Sequence, residues 1–106
     1  MTQEFALLHI PRRMEELGHG NNYFTPMPQH YSLYAGEVRI IDAYNEYFFL
    51  TSADNSISIS SEFGMFDVTD DSLNQQLYEH QGKIIITNKS RNLRHVQFIQ
   101  VIPKHL

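Results

Sequence analysis

The sequence predicts a mainly β protein, a small five-stranded antiparallel barrel preceded by a short N-terminal helix. The strongest evidence is residues 82–103, where two runs rich in β-branched side chains flank the polar segment 88–92, a pattern typical of a β-hairpin. Residues 33–61 add three shorter runs separated by turn-forming residues. At 106 residues, the chain is long enough for one domain with one core.

A short helix is predicted near the N-terminus, over residues 11–18. Pro11 suits the first turn of a helix, and Gly18 suits the position just after its end. Three apolar residues are spaced three to four positions apart: Ile10, Met14 and Leu17. Pro11 permits residues 5–10 either to extend this helix or to form a separate strand, so both alternatives stay open.

An irregular loop is predicted after the helix, at residues 18–29. The segment contains two glycines, two consecutive asparagines and two prolines, all of which interrupt regular structure. We therefore divide the single domain 1–106 into an N-terminal helix and loop arm, residues 1–30, and a β-barrel, residues 31–103.

The first strand of the barrel is predicted at residues 33–42. Apolar and charged side chains alternate there, so we expect Tyr34, Val38 and Ile40 to lie on the buried face. A turn is predicted to follow at residues 42–45.

The second strand is predicted at residues 46–52 and the third at residues 56–61. Serine and isoleucine alternate in the third strand, so we expect Ile57 and Ile59 to be buried and the serines exposed. Residues 63–68 are interpreted as a continuation of this strand past a glycine bulge.

A second helix is predicted between the third and fourth strands. Asp70 is a suitable N-cap, because its carboxylate accepts hydrogen bonds from the free N–H groups of the first turn. Leu73 and Leu77 lie one turn apart. His80 and Gly82 are expected to mark its end.

The resulting element order, β-β-β-α-β-β, resembles that of the OB-fold, a five-stranded Greek-key barrel whose helix lies between the third and fourth strands. The resemblance covers residues 31–103 and rests on the element order and on Gly82 at the start of the fourth strand. The sequence matches no motif of the family, so the resemblance assigns no function to individual residues of this chain. An SH3-like barrel, or a helix packed against an open antiparallel sheet, fits nearly the same order.

The charges are distributed unevenly around a net charge of −4. Residues 37–79 hold nine acidic residues and one basic residue, whereas residues 80–106 hold five basic residues and no acidic one. Either the basic strands neutralise the acidic strands beside them, or they bind an anion such as single-stranded nucleic acid. The candidate nucleic-acid-binding residues are Arg39, Lys83, Lys89, Arg91 and Arg94.

No catalytic site is predicted. The sequence contains no nucleophile elbow, phosphate-binding glycine loop or zinc-protease motif, and it has no cysteine. Residues 18–22 are interpreted as a helix cap rather than an anion-binding loop. The six histidines show no local metal-ligand spacing, so a site would need distant residues such as His19, His30 and His80. We therefore expect no metal, no cofactor and no enzymatic activity.

Tyrosines near the first two strands are the candidate protein-binding residues. They are Tyr31, Tyr34, Tyr44 and Tyr47. Tyrosine supplies contact area at low entropic cost and needs no basic neighbours, which suits the acidic surroundings of these strands. We therefore predict a non-catalytic binding module, an accessory or assembly component that contacts another protein. The alternative is a single-stranded nucleic-acid binder that uses the basic C-terminal strands.

The remaining expectations concern location and assembly. No run approaches the roughly 18 apolar residues that a membrane span requires, and the first residues lack the pattern of a secretory signal. We expect a cytoplasmic protein without membrane contact, as a monomer or as a homodimer formed through an exposed strand such as residues 56–61.

Overall fold

The structure, a computed structural model, describes residues 3–62, 64–68 and 79–104. Its elements are α1 (Gln3–Glu16), β1 (Tyr23–Phe24), β2 (Gln29–Leu33), β3 (Val38–Ala53), β4 (Ile57–Ser61), β5 (Gly64–Asp67), β6 (Glu79–Asn88) and β7 (Arg94–Pro103). The strands form one antiparallel sheet in the order β5-β4-β6-β3-β7, with β1 and β2 both paired to the other edge of β7. The mainly β prediction with an N-terminal helix is confirmed. The five-stranded barrel is wrong, because the sheet has seven strands and does not close.

The two strands of the predicted hairpin exist as β6 and β7, but they do not pair with each other. β3 lies between them: residues 38–43 and 48–49 pair with β6, and residues 47–53 pair with β7. A strand of 16 residues is long enough to pair with a different neighbour on each of its two edges. Residues 89–93 therefore connect strands on opposite sides of β3 instead of closing a tight turn.

A bulge takes the place of the turn predicted at residues 42–45. The register between β3 and β6 shifts between Ala43 and Phe48, and Asn45 adopts a φ of 66°. Asparagine tolerates this left-handed conformation better than most residues, so the strand can bulge there without reversing direction. The bulge shifts the alternation, which places Phe48 on the same side of the sheet as Ala43.

Different elements cover the two sides of the sheet. One side carries the main core, which consists of Leu33, Ala43, Phe48, Leu50, Ile57, Ile59, Val68, Ile84, Ile86, Val96 and Phe98. On the other side, Ala6, Ile10 and Met14 of α1 pack against Tyr47, Phe49, Ile99 and Val101. β7 contributes to both clusters, so its apolar residues are covered on both sides.

α1 settles the alternative left open for residues 5–10. They belong to one helix that continues through Pro11, and the buried positions are spaced four residues apart: Ala6, Ile10 and Met14. Proline cannot donate a hydrogen bond within the helix, so packing against the sheet must offset that loss. None of the helical structure in the described part of the chain is long and apolar enough to cross a lipid bilayer.

The strand predicted at residues 33–42 is divided, because Leu33 ends β2 and β3 begins at Val38, and the predicted buried face is reversed. Val38 and Ile40 are 53% and 55% exposed, whereas Ile41 and Ala43 lie against the main core. Alternation alone does not decide which of the two sets of alternating residues faces the core. In this strand each set contains an isoleucine, Ile40 in one and Ile41 in the other. Packing decides between them, because the bulge fixes Ala43 and Phe48 on the core side.

β4 and β5 also depart from the prediction. Ile57 and Ile59 are fully buried as expected, but Ser58 is buried as well. Residues 64–67 do not prolong β4; they fold back beside it, with Ser61 opposite Gly64. β4 therefore lies between β6 and β5, so residues 56–61 are not the exposed edge proposed for dimer formation.

The second predicted helix lies mainly at residues 69–78, which are outside the described residues. His80 and Gly82, predicted to end that helix, belong instead to β6. Within the N-terminal arm, β1 and the start of β2 pair with β7, so the arm is joined to the sheet by backbone hydrogen bonds.

Candidate functional site

An exposed apolar area lies on the side of the sheet that carries α1. Two cross-strand rows define it, because residues paired in antiparallel strands project to the same side. We call this area the outer face, and its residues are Val38, Ile40, Ser60, Met65, Ile85 and Thr87. Met65 is 70% exposed and Ile40 is 55% exposed. Its central row, Ile40-Ile85-Ser60-Met65, runs across four strands.

α1 covers the adjacent half of the same side. Arg13 of α1 makes a two-pronged ion pair with Glu79 of β6, through its Nε at 2.7 Å and its Nη2 at 3.1 Å. Glu79 and Ile85 lie on the same side of β6, since burial alternates regularly along the strand. α1 therefore covers one half of this side of the sheet, and it does not cover the outer face beside it.

The structure separates the four candidate tyrosines. Tyr34 and Tyr44 are 75% and 59% exposed, and they lie before and after the exposed part of β3. Tyr31 is half-buried, its ring edge-on to Phe98 and 5.9 Å from the Arg39 guanidinium. Tyr47 is buried beneath α1. Of the four candidates, Tyr34 and Tyr44 are the exposed side chains.

Tyr47 makes a polar contact within the apolar cluster between α1 and the sheet. Its hydroxyl lies 3.2 Å from Nε2 of His19, which follows the helix end. The backbone N–H of His19 donates to the Met14 carbonyl, and Gly18 has a φ of 87°, as a helix cap requires. Residues 18–22 thus end the helix, as the sequence indicated.

The candidate cations are dispersed, and several face acids. Arg39 Nη2 lies 2.7 Å from a carboxylate oxygen of Glu37, and both side chains are half-buried. Lys89 Nζ lies 2.9 Å from a carboxylate oxygen of Asp67, and both side chains are exposed. These contacts hold the pKa values of Glu37 and Asp67 below their usual range, with the bond to the cation as the main cause. Lys83 lies directly across from Asp42. This arrangement favours charge balance between β3, β5 and β6.

The last two candidate cations lie at the end of the sheet. Arg91 is exposed in the connection between β6 and β7, and Arg94 is half-buried at the start of β7. The structure does not bring the five cations into one continuous track. Lys89, Arg91 and Arg94 lie near the connection between β6 and β7, whereas Lys83 lies farther along β6 and Arg39 lies on β3.

The three histidines named as possible metal ligands lie apart. His19 contacts Tyr47, and His30 lies on β2. His80 is buried, and its Nδ1 lies 2.7 Å from the Ser61 hydroxyl. In residues 3–62, 64–68 and 79–104, no group of three or more histidine or carboxylate side chains is arranged to hold a metal ion.

The burial of Tyr47 predicts a loss of stability at alkaline pH. Burial, and secondarily the nearby Glu79, raise the pKa of Tyr47 above its usual value. The folded protein then holds the phenolic proton more tightly than the unfolded chain does, so stability falls as pH rises above about 10. We expect Tyr47→Phe to show a smaller fall in urea midpoint between pH 8 and pH 11 than the unmodified protein shows. An equal fall in both proteins would contradict this assignment.

Sequence reasoning missed Ile85 and Met65 as surface residues. Their exposure depends on the phase of β6 and on β5 folding back, neither of which has a local signal. Comparison of the chain with protein-family models, curated proteins and solved structures found no match.

Proposed function

We propose that the protein is a non-catalytic module that binds another protein through the outer face. The observation that carries the proposal is the row Ile40-Ile85-Ser60-Met65, in which Ile40 and Met65 are exposed and Ile85 and Ser60 are half-buried, beside the half of the sheet that α1 covers. Contiguous exposed apolar residues of this kind are typical of protein interaction sites, whereas single exposed apolar residues need no explanation.

The surroundings of the outer face indicate the chemistry of the partner. Asp67 is neutralised by Lys89 at one border, and Asp42 lies across from Lys83 at the other. A partner therefore needs no strong charge of either sign. Tyr34 and Tyr44 add aromatic contact area with hydroxyl groups that can bond at the edge of an interface. These features support a largely apolar protein surface as the partner.

Nucleic-acid binding is the less favoured alternative. It requires free cations beside aromatic rings, and Arg39 and Lys89 are already paired with acids. Arg39 also lies over the ring of Tyr31, which removes that ring from stacking on a base. The charge distribution thus supports neutralisation within the sheet.

A pair of charge insertions tests the proposal. A photo-crosslinking side chain at Thr87 is first used to capture a partner from the source cell, and the partner is purified. Ile40→Lys and Met65→Lys are each expected to weaken its binding by about tenfold or more, because a lysine must lose its hydration in an apolar contact. Isothermal titration calorimetry measures the dissociation constant.

The matched control is Leu8→Lys, which introduces the same charge at an exposed apolar position on α1. It is expected to leave the affinity unchanged, and circular dichroism verifies the fold of all three variants. Equal effects at Leu8 and Ile40 would refute the assignment of the outer face. Salt-sensitive binding of a single-stranded oligonucleotide that is lost in Lys83→Gln and Arg91→Gln would establish the alternative.

A further inference from the structure

Two histidines from distant parts of the chain meet on the surface of the sheet. Nε2 of His30 on β2 lies 3.2 Å from Nδ1 of His95 on β7, and the hydroxyl of Ser32 lies 3.0 Å from the same Nδ1. Ser32 pairs with His95 and His30 pairs with Gln97, so these side chains share one side of the β2–β7 pair. His30, Ser32 and His95 are all exposed to solvent.

We propose that His30 and His95 chelate a divalent transition metal ion such as Zn²⁺, Ni²⁺ or Cu²⁺. A tetrahedral metal ion bound roughly 2.1 Å from each of two imidazole nitrogens separates those nitrogens by roughly 3.4 Å. The observed separation is 3.2 Å. Imidazole suits these ions, whereas Mg²⁺ and Ca²⁺ require oxygen ligands.

Without metal, one ring can donate its N–H to the other ring's nitrogen. For chelation, both facing nitrogens must be unprotonated, so His30 carries its proton on Nδ1 and His95 carries its proton on Nε2. This exchange of tautomers needs no ionised imidazole. The Ser32 hydroxyl and water can occupy further coordination positions, since the pair is open to solvent.

The surroundings of the pair are compatible with a cation. Asp54 accepts a hydrogen bond from the backbone N–H of His95 at 2.7 Å, and its own N–H donates to the His95 carbonyl at 3.0 Å. This places a carboxylate next to the strand that carries His95. The site has two imidazoles and no carboxylate among its ligands, so it is smaller than the groups of three histidine or carboxylate side chains that the described residues lack.

Metal binding would strengthen the attachment of β2 to the rest of the sheet. β2 pairs with β7 along one edge, and an ion held by His30 and His95 adds a second link between these strands. An ion that binds the folded protein and not the unfolded chain raises Tm. The inference does not depend on the outer face, since none of its residues belongs to that surface.

The test uses the full chain with ZnCl₂, NiCl₂ and MgCl₂. We expect saturable calorimetric binding of Zn²⁺ and Ni²⁺, a Tm that rises with their concentration, and no effect of Mg²⁺. Acidification is expected to abolish binding, because protonated imidazole cannot ligate metal. His30→Ala and His95→Ala are each expected to reduce the affinity at least about tenfold, since one imidazole alone holds these ions weakly.

The control is His19→Gln, which removes an imidazole from the α1 cap and leaves the β2–β7 pair intact. It is expected to bind Zn²⁺ with unchanged affinity. Circular dichroism without metal verifies that both alanine variants are folded. Absence of saturable binding, or equal affinity in His30→Ala and the unmodified protein, would overturn the proposal.

Discussion

Replacing Phe98 by alanine is expected to destabilise the protein by about 3–5 kcal/mol, the range for loss of a buried aromatic side chain. Phe98 is fully buried, and its ring lies edge-on to those of Phe48, Tyr31 and His80 at 5.6, 6.2 and 6.4 Å between centroids. Alanine would remove all three ring contacts and leave a cavity where β7 meets β2, β3 and β6. Since domains are stable by only about 5–15 kcal/mol, much of the margin would be lost.

Urea unfolding followed by circular dichroism measures this effect. The matched control is Phe24→Ala, because Phe24 is 46% exposed on the short strand β1 and belongs to neither core cluster. We expect the control to cost about 1 kcal/mol or less. Similar losses in the two variants would show that the described packing around Phe98 is incorrect.

Replacing Asn88 by alanine is expected to cost about 2–3 kcal/mol, because buried backbone groups would lose their partners. Asn88 is fully buried at the end of β6. Its Nδ2 donates to the carbonyls of Leu33, Tyr34 and Asn92 at 2.8–3.1 Å. Its Oδ1 accepts from the N–H and the hydroxyl of Ser90. One side chain therefore joins the end of β2 to the connection between β6 and β7.

Asn88→Asp distinguishes this role from simple packing. Aspartate has the same shape and keeps the acceptor for Ser90, but it has no amide protons and places negative charge against three carbonyl oxygens. We expect it to be at least as destabilising as Asn88→Ala in urea unfolding at neutral pH. Asn21→Ala, at an exposed position in the loop after α1, serves as the control. An Asn88→Asp variant as stable as the unmodified protein would exclude the donor role.

Local sequence determined that most of β6 and β7 form strands and which isoleucines of β4 are buried. The β-branched runs in β6 and β7 form strands wherever they pair, because their side chains favour a pleated surface. Ile57 and Ile59 are buried as the alternation predicted. The cap at Gly18 likewise depends on a backbone conformation that glycine adopts without strain.

The candidate site was less accessible to such reasoning. Tyr34 and Tyr47 look alike in sequence, yet Tyr34 is 75% exposed and Tyr47 lies beneath α1. The outer face depends on which side of β3 carries Val38 and Ile40. The histidine pair depends on the register between β2 and β7, across 65 residues of chain.

Tertiary structure decided which strands pair, which side of each strand faces the core, and that the sheet stays open instead of closing into a barrel. The hydrogen-bonding edge of every strand is chemically the same, so sequence neighbours such as β6 and β7 have no local feature that prevents β3 from lying between them. An alternating strand can face either way, and a shift of one residue exchanges its two sides. Only the packing of α1 and the main core around the bulge in β3 distinguishes these arrangements, because the free energy of burial depends on residues that are distant in sequence.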